Sequence, residues 1–114
     1  MRMIILAAAL VALSTTFASA EDLMASRYGN TTIATDSKGV QTKIYYKADG
    51  TLTGKQGTMM FKGTWKVDKG QVCLTNTPAP AGMANPFCAP VKARKVGDTW
   101  KAADRTVTLV KGIQ

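Results

Sequence analysis

Thr58–Met59–Met60–Phe61–Lys62–Gly63–Thr64–Trp65–Lys66–Val67 is the stretch whose reading decides the fold. Met59, Phe61, Gly63, Trp65 and Val67 alternate with Met60, Lys62, Thr64 and Lys66. Apolar groups at every second position, with lysine on the opposite face, have the period of a strand with one wet side. Gly63 inside the inward set predicts a bulge or a sharp bend, as at a barrel corner. Upstream, Val40–Lys47 repeats the pattern, with Val40, Thr42, Ile44 and Tyr46 on one face and Gln41, Lys43, Tyr45 and Lys47 on the other.

Turn residues punctuate these runs. Asp36–Ser37–Lys38–Gly39 follows Thr31–Thr35, Ala48–Asp49–Gly50 follows Val40–Lys47, Gln56–Gly57 follows Thr51–Lys55, and Asp68–Lys69–Gly70 leads into Gln71–Asn76. Turns of this type between β-branched and aromatic runs indicate antiparallel strands in sequence order. Phe87–Ala93, Gly97–Ala102 and Arg105–Val110 supply the remaining strands. No segment carries a 3.6-residue apolar period long enough for a large helix. The expected fold is all-β: a small antiparallel up-and-down barrel or sandwich of about seven to eight strands with a short N-terminal helix. That helix falls on Asp22–Gly29, with Asp22 as cap, Gly29 as left-handed stop, and Met24 and Tyr28 sharing a face.

Thr77–Pro86 is the one long irregular segment, and its prolines favour extended, solvated backbone. Parity places Cys73 outward, between inward Val72 and Leu74, and Cys88 outward, between Phe87 and Ala89. Two same-face cysteines opposite each other on antiparallel strands can bridge. Closing such a loop is worth roughly 3 kcal/mol on the chain-entropy model. A zinc site would need about four ligands, and the chain has no histidine. A Cys73–Cys88 disulfide with a structural role is therefore expected, and no metal or cofactor.

Thr64–Trp65–Lys66 with Val72–Cys73–Leu74 is echoed by Thr99–Trp100–Lys101 with Val107–Thr108–Leu109 at the same spacing. The echo reads as one Trp-anchored hairpin used twice, since tryptophan chiefly contributes buried area. Tyr46, Phe61, Trp65 and Trp100 are the inward aromatics, candidates to line a core or a pocket.

The start of the chain fixes the compartment. Met1–Arg2–Met3, an apolar run from Ile4 to Leu13, and Ala18–Ser19–Ala20 have the layout of a secretory signal peptide, with cleavage expected after Ala20. Residues 1–20 are then leader and 21–114 a single β domain, periplasmic or secreted, with no transmembrane segment in the mature chain. An oxidising compartment agrees with the disulfide. Without Arg2 the mature chain has 14 basic against 7 acidic residues. That excess raises affinity for anionic partners such as an envelope component, and for an exported protein nucleic acid is not expected.

Lys47–Ala48–Asp49–Gly50–Thr51, the Gly63–Thr64–Trp65–Lys66–Val67 strand and the cysteine strand Gln71–Leu74 resemble uncharacterised families of small exported bacterial proteins. Gly63–Thr64–Trp65 also looks like the G-x-W element of lipocalin-like barrels. The resemblance covers about half the mature chain and implies a compact β barrel of unassigned function.

No catalytic constellation emerges. Asp36, Asp49, Asp68 and Asp104 fall in turns, where aspartate bonds its own backbone, and Asp98 has no carboxylate partner in sequence. Ser26 and Ser37 lack a base. The chain is expected to be non-enzymatic, an interaction module with its basic outer surface toward the envelope or a protein partner. Lys43, Tyr45, Lys47, Lys62 and Lys66 form a continuous anionic-surface contact if their two strands are neighbours. The alternative is a lipocalin-like binder of a small apolar or anionic ligand, its mouth closed by residues 22–28 and 77–86.

Overall fold

Eight strands make one antiparallel sheet: β1 (Thr31–Thr35), β2 (Gln41–Tyr46), β3 (Thr51–Gln56), β4 (Met59–Asp68), β5 (Gln71–Thr77), β6 (Phe87–Pro90), β7 (Thr99–Ala102) and β8 (Arg105–Val110). This is a computed structural model, and it describes residues 22–114. The leader and its cleavage after Ala20 lie outside the described residues. The ladder runs β6-β5-β4-β3-β2-β1-β8-β7. Because β1 pairs with β8, Thr31 opposite Val110 and Thr35 opposite Thr106, the meander curls into a nearly closed barrel. Only β6 and β7 remain unpaired to each other. Both have four residues, and β6 ends at Pro90, which has no N–H to offer a ladder. This seam is filled by side chains instead: Ala89 of β6 and Ala102 of β7 share a cluster with Ala34 and Val107.

Alternation sets the faces as the period requires. Thr42, Ile44, Tyr46, Leu52, Phe61, Val72, Leu74, Val107 and Leu109 are buried, and the lysines of β4 are exposed. Val40 and Val67, assigned inward by parity, are exposed, because they lie at the rim where the barrel wall no longer has an opposite side. Two glycines make the curvature possible. A Cβ on Gly54 would collide with the Phe61 ring, and one on Gly63 with the Thr75 carbonyl, so these positions let strands and ring approach where a side chain could not.

The N-terminal helix is not present. Ala25–Arg27 is a single 3-10 turn, with Arg27 N–H donating to Met24 O at 2.9 Å and Tyr28 N–H to Ala25 O at 3.3 Å. The segment is too short to nucleate an α-helix, and Gly29, at φ 77°, ends it. Asp22 Oδ1 does cap the start, accepting from Met24 N–H at 2.9 Å. With three residues per turn, Met24 pairs on the buried face with Arg27, not with Tyr28.

The last strands are shorter than expected: β6 stops at Pro90 instead of Ala93, and β7 begins at Thr99 instead of Gly97. The tryptophan echo keeps its faces but not its register. Trp65 faces Leu74, whereas Trp100 faces Val107. The shift is two residues, which a strand of period two absorbs without turning a side chain over.

Candidate functional site

The barrel ends are closed by the two segments that lack regular strand pairing. At the upper end, where β1 starts, the turn at 25–27 seats Met24 and Arg27 inward. At the lower end the Thr77–Pro86 segment folds back rather than extending into solvent. Pro80 and Met83 are buried, Gln56 Nε2 donates to Ala81 O, and Ala81 N–H donates back to Gln56 Oε1, both at 3.3 Å. Asn76 N–H donates to Asn85 Oδ1 at 2.9 Å, and Asn85 Nδ2 donates to Asn76 O at 3.0 Å. Proline kept the backbone out of the sheet, but these side-chain bonds fix it as a lid.

Between the lids lies a cavity of about 50 Å³, walled by residues of both ends including Arg27, Tyr46, Met83, Trp100 and Arg105. Its charge is the notable feature. Arg27 is 4% and Arg105 3% exposed. Arg27 Nη1 donates to Leu23 O at 2.9 Å and Nη2 to Lys92 O at 3.3 Å, and its guanidinium stands 5.4 Å from the Trp100 ring centroid. Arg94 lies 4.4 Å from the same ring, with its Nε buried and unbonded. Burial lowers the pKa of Arg27; nearby Tyr46 opposes this and Arg94 adds to it. At the other end Arg105 Nη2 donates to Gly82 O, and its guanidinium lies 5.9 Å from the Phe87 ring. Thr32, 4% exposed and also on the cavity wall, has a buried hydroxyl without a partner.

Burial pushes the Tyr46 hydroxyl up to about 12, against the pull of Arg27. Tyr28 is also raised to about 12, by burial and then by its hydrogen bond to Asp22 at 2.9 Å. Both folded values exceed an unfolded value near 10. Their stabilisation is thus complete below pH 10 and lost as pH climbs from 10 to 12. For buried Tyr46 the loss is about 2–3 kcal/mol. Tyr46→Phe, which has no proton to lose, should move the midpoint of alkaline unfolding upward. An unchanged alkaline limb would mean that Tyr46 does not control it.

Of the inward aromatics, Tyr46 and Trp100 reach the cavity wall. Phe61 lies in the core over Gly54. Trp65 covers the upper rim, edge-on to Tyr46 at 6.0 Å, its Nε1 donating to Lys47 O at 3.0 Å. The basic set is not gathered into one strip. β3 lies between β2 and β4, so Tyr45 faces Thr53, which in turn faces Lys62, and Lys66 faces Cys73. Lys47 follows β2 at the rim, and Lys43 is opposite Lys55, a lysine the sequence argument did not use. Cys73 and Cys88 are directly opposite and bonded, with Cα atoms 4.1 Å apart.

Three of the strand-region carboxylates, Asp36, Asp49 and Asp98, bind backbone. Asp36 Oδ1 accepts from Lys38 N–H at 2.8 Å and Val40 N–H at 2.9 Å, Asp49 Oδ1 from Thr51 N–H at 3.0 Å, and Asp98 Oδ2 from Lys95 N–H at 2.9 Å. The Val40 bond is the main cause holding Asp36 below its ordinary value, and the Thr51 hydroxyl does the same for Asp49. Asn30, the head of an Asn-Thr-Thr triplet, donates to Ser26 O at 2.7 Å and accepts from Gly112 N–H at 2.8 Å, which anchors the chain's last residues.

Sequence reasoning missed the residues that give the cavity its charge. For Arg105 the signal was present: it has the parity of Val107 and Leu109, the buried face of β8. Thr32 likewise shares the parity of Ala34. Arg27 was hidden by assuming an α-helical spacing from Met24. Among the described residues no helix is long and apolar enough to cross a membrane. Compared with protein-family models, curated proteins and solved structures, the chain finds no match, so its function is argued from this geometry.

Proposed function

We propose that the chain is an exported, non-enzymatic binding protein whose barrel interior holds a small ligand. One observation carries this: a cavity between two lids receives two buried arginines and an unpartnered hydroxyl, yet among the described residues no carboxylate lines it. The buried Arg27 guanidinium, which meets carbonyl oxygens and a ring, is costly for folding alone. A bound molecule offsets that cost. The leader-like start and the disulfide support export. The outer basic face is the weaker candidate, because threonine separates Tyr45 from Lys62 across the sheet and the lysines are not gathered into one strip.

The test is saturation-transfer NMR of the oxidised mature chain against organic molecules of up to about six heavy atoms. A binder that shifts the Trp100 indole signal and leaves Trp65 in place is the expected result. If no molecule in the set binds, and the chain instead binds anionic vesicles in a salt-sensitive way that Lys43→Gln, Lys47→Gln, Lys62→Gln and Lys66→Gln together abolish, the outer face is the functional one.

A further inference from the structure

The two ends of the cavity differ in how their charge is met. Arg105 lies 3.9 Å from the Asp104 carboxylate, and its charge helps to hold Asp36 below its ordinary value. Among the described residues Arg27 has no such counter-charge. It meets two carbonyl oxygens and the Trp100 ring, and the other cation on that ring is Arg94. Around it Tyr46 and Thr32 add two hydroxyl donors, the second buried and unused. One step further down the barrel the paired residues Ala34 and Val107 make the wall apolar. Donors at the upper end and methyl groups on the wall just below it describe a molecule with one anionic head and a short alkyl body.

We propose that the upper end of the cavity is a carboxylate site and that its ligand is a short-chain monocarboxylate of acetate to propionate size. Its carboxylate sits on Arg27, Thr32 and Tyr46, and its alkyl end faces Ala34 and Val107. This rests on the interior-binding reading above.

Size and shape narrow the class. A volume of about 50 Å³ holds about four waters, each needing roughly 10–15 Å³. Four or five non-hydrogen atoms fit. A guanidinium fork matches a planar carboxylate with two parallel hydrogen bonds. A phosphate of similar size would turn some of its four charged-cluster oxygens toward alanine and valine, where they would go unpaired. A dicarboxylate long enough to reach Arg105 exceeds the space.

The experiment titrates the oxidised mature chain with acetate and propionate, and in parallel with acetamide, propionamide, inorganic phosphate and sulfate, at constant ionic strength set with chloride. The readouts are the Trp100 indole NMR shift and the thermal midpoint. So small a ligand binds no tighter than roughly micromolar, so concentrations run from about 1 µM to 10 mM. Propionate should shift Trp100 and raise the midpoint, with propionamide at least tenfold weaker. Arg27→Gln should weaken propionate at least tenfold. Because that variant also loses bonds to Leu23 and Lys92, Thr32→Val provides a second arm. It keeps the side chain's shape, removes a hydroxyl with no partner, and should weaken propionate about fivefold while leaving the empty protein as stable or more so. A purely structural role for Thr32 would not move binding and stability in opposite directions.

Equal binding of propionate and propionamide would overturn the carboxylate assignment and leave interior binding standing. Binding of phosphate or sulfate with carboxylates silent would overturn it in favour of a free inorganic oxyanion. No Trp100 response to any of the six would overturn the carboxylate site, and if the wider set of neutral molecules is silent too, the interior reading falls with it.

Discussion

Replacing Cys73 and Cys88 together by Ser should lower the unfolding free energy by about 2–4 kcal/mol while the β spectrum persists. The bridge closes a sequence separation of 15, for which loop-closure entropy alone is roughly 3 kcal/mol. Its position adds to this. β6 has one ladder neighbour, β5, and is the strand into which the lower lid leads. Without the bridge, β6 is held by the burial of Ala89 and Val91, the partial burial of Phe87, and a short ladder. Urea unfolding of the double variant beside the oxidised protein measures the difference. A loss under about 0.5 kcal/mol would mean that core contacts already fix this edge and the crosslink is redundant.

Gly63→Ala should cost about 3 kcal/mol or more, at the upper end of what overpacking does. A Cβ there would overlap the Thr75 carbonyl and stand 2.6 Å from Asn76 Oδ1. The Thr75 carbonyl is backbone and cannot retreat cheaply, because the next residue, Asn76, is buried and its backbone is tied in both directions to Asn85. Gly57→Ala is the control. It has open space around it but a φ of +63°, so its cost is backbone strain of about 1 kcal/mol. Urea midpoints for the two variants should therefore separate lack of room from lack of conformational freedom. A Gly63→Ala protein no less stable than Gly57→Ala would show that β4 and β5 can spread apart.

Strand period was legible because it depends only on neighbours two residues apart. Met59, Phe61 and Trp65 face inward as the alternation in Thr58–Val67 demands, and the same parity brought Cys73 and Cys88 to one face. What escaped was everything set by closure. Thr77–Pro86 contains three prolines, Pro78, Pro80 and Pro86, which argue for solvated chain, yet the rim of a nearly closed barrel offers Gln56 and Asn76 as partners that no local pattern reveals. The site suffered in the same way. Charged residues are ordinarily assigned to the surface, so Arg105 was passed over in spite of its parity. Arg27 became inward only because a turn of three residues per repeat replaced one of 3.6. The Arg27 contacts to Lys92 and Trp100, more than sixty residues away in the chain, exist only once the barrel curls.

The seam between β6 and β7 gives the molecule an unusual order of loosening. The outermost strands of a meander are commonly those nearest the chain ends, where fraying begins. Here β1 and β8 are zipped to each other, and Thr31 Oγ1 further donates to Gly112 O at 2.8 Å. The free edges lie mid-chain, on either side of residues 91–98. Slow hydrogen exchange should accordingly be found in amides near both termini, while those of β7 that face the seam exchange early. A transient parting there breaks side-chain contacts and no ladder bond between strands, so the interior can be reached by a gap in the wall while both lids stay seated.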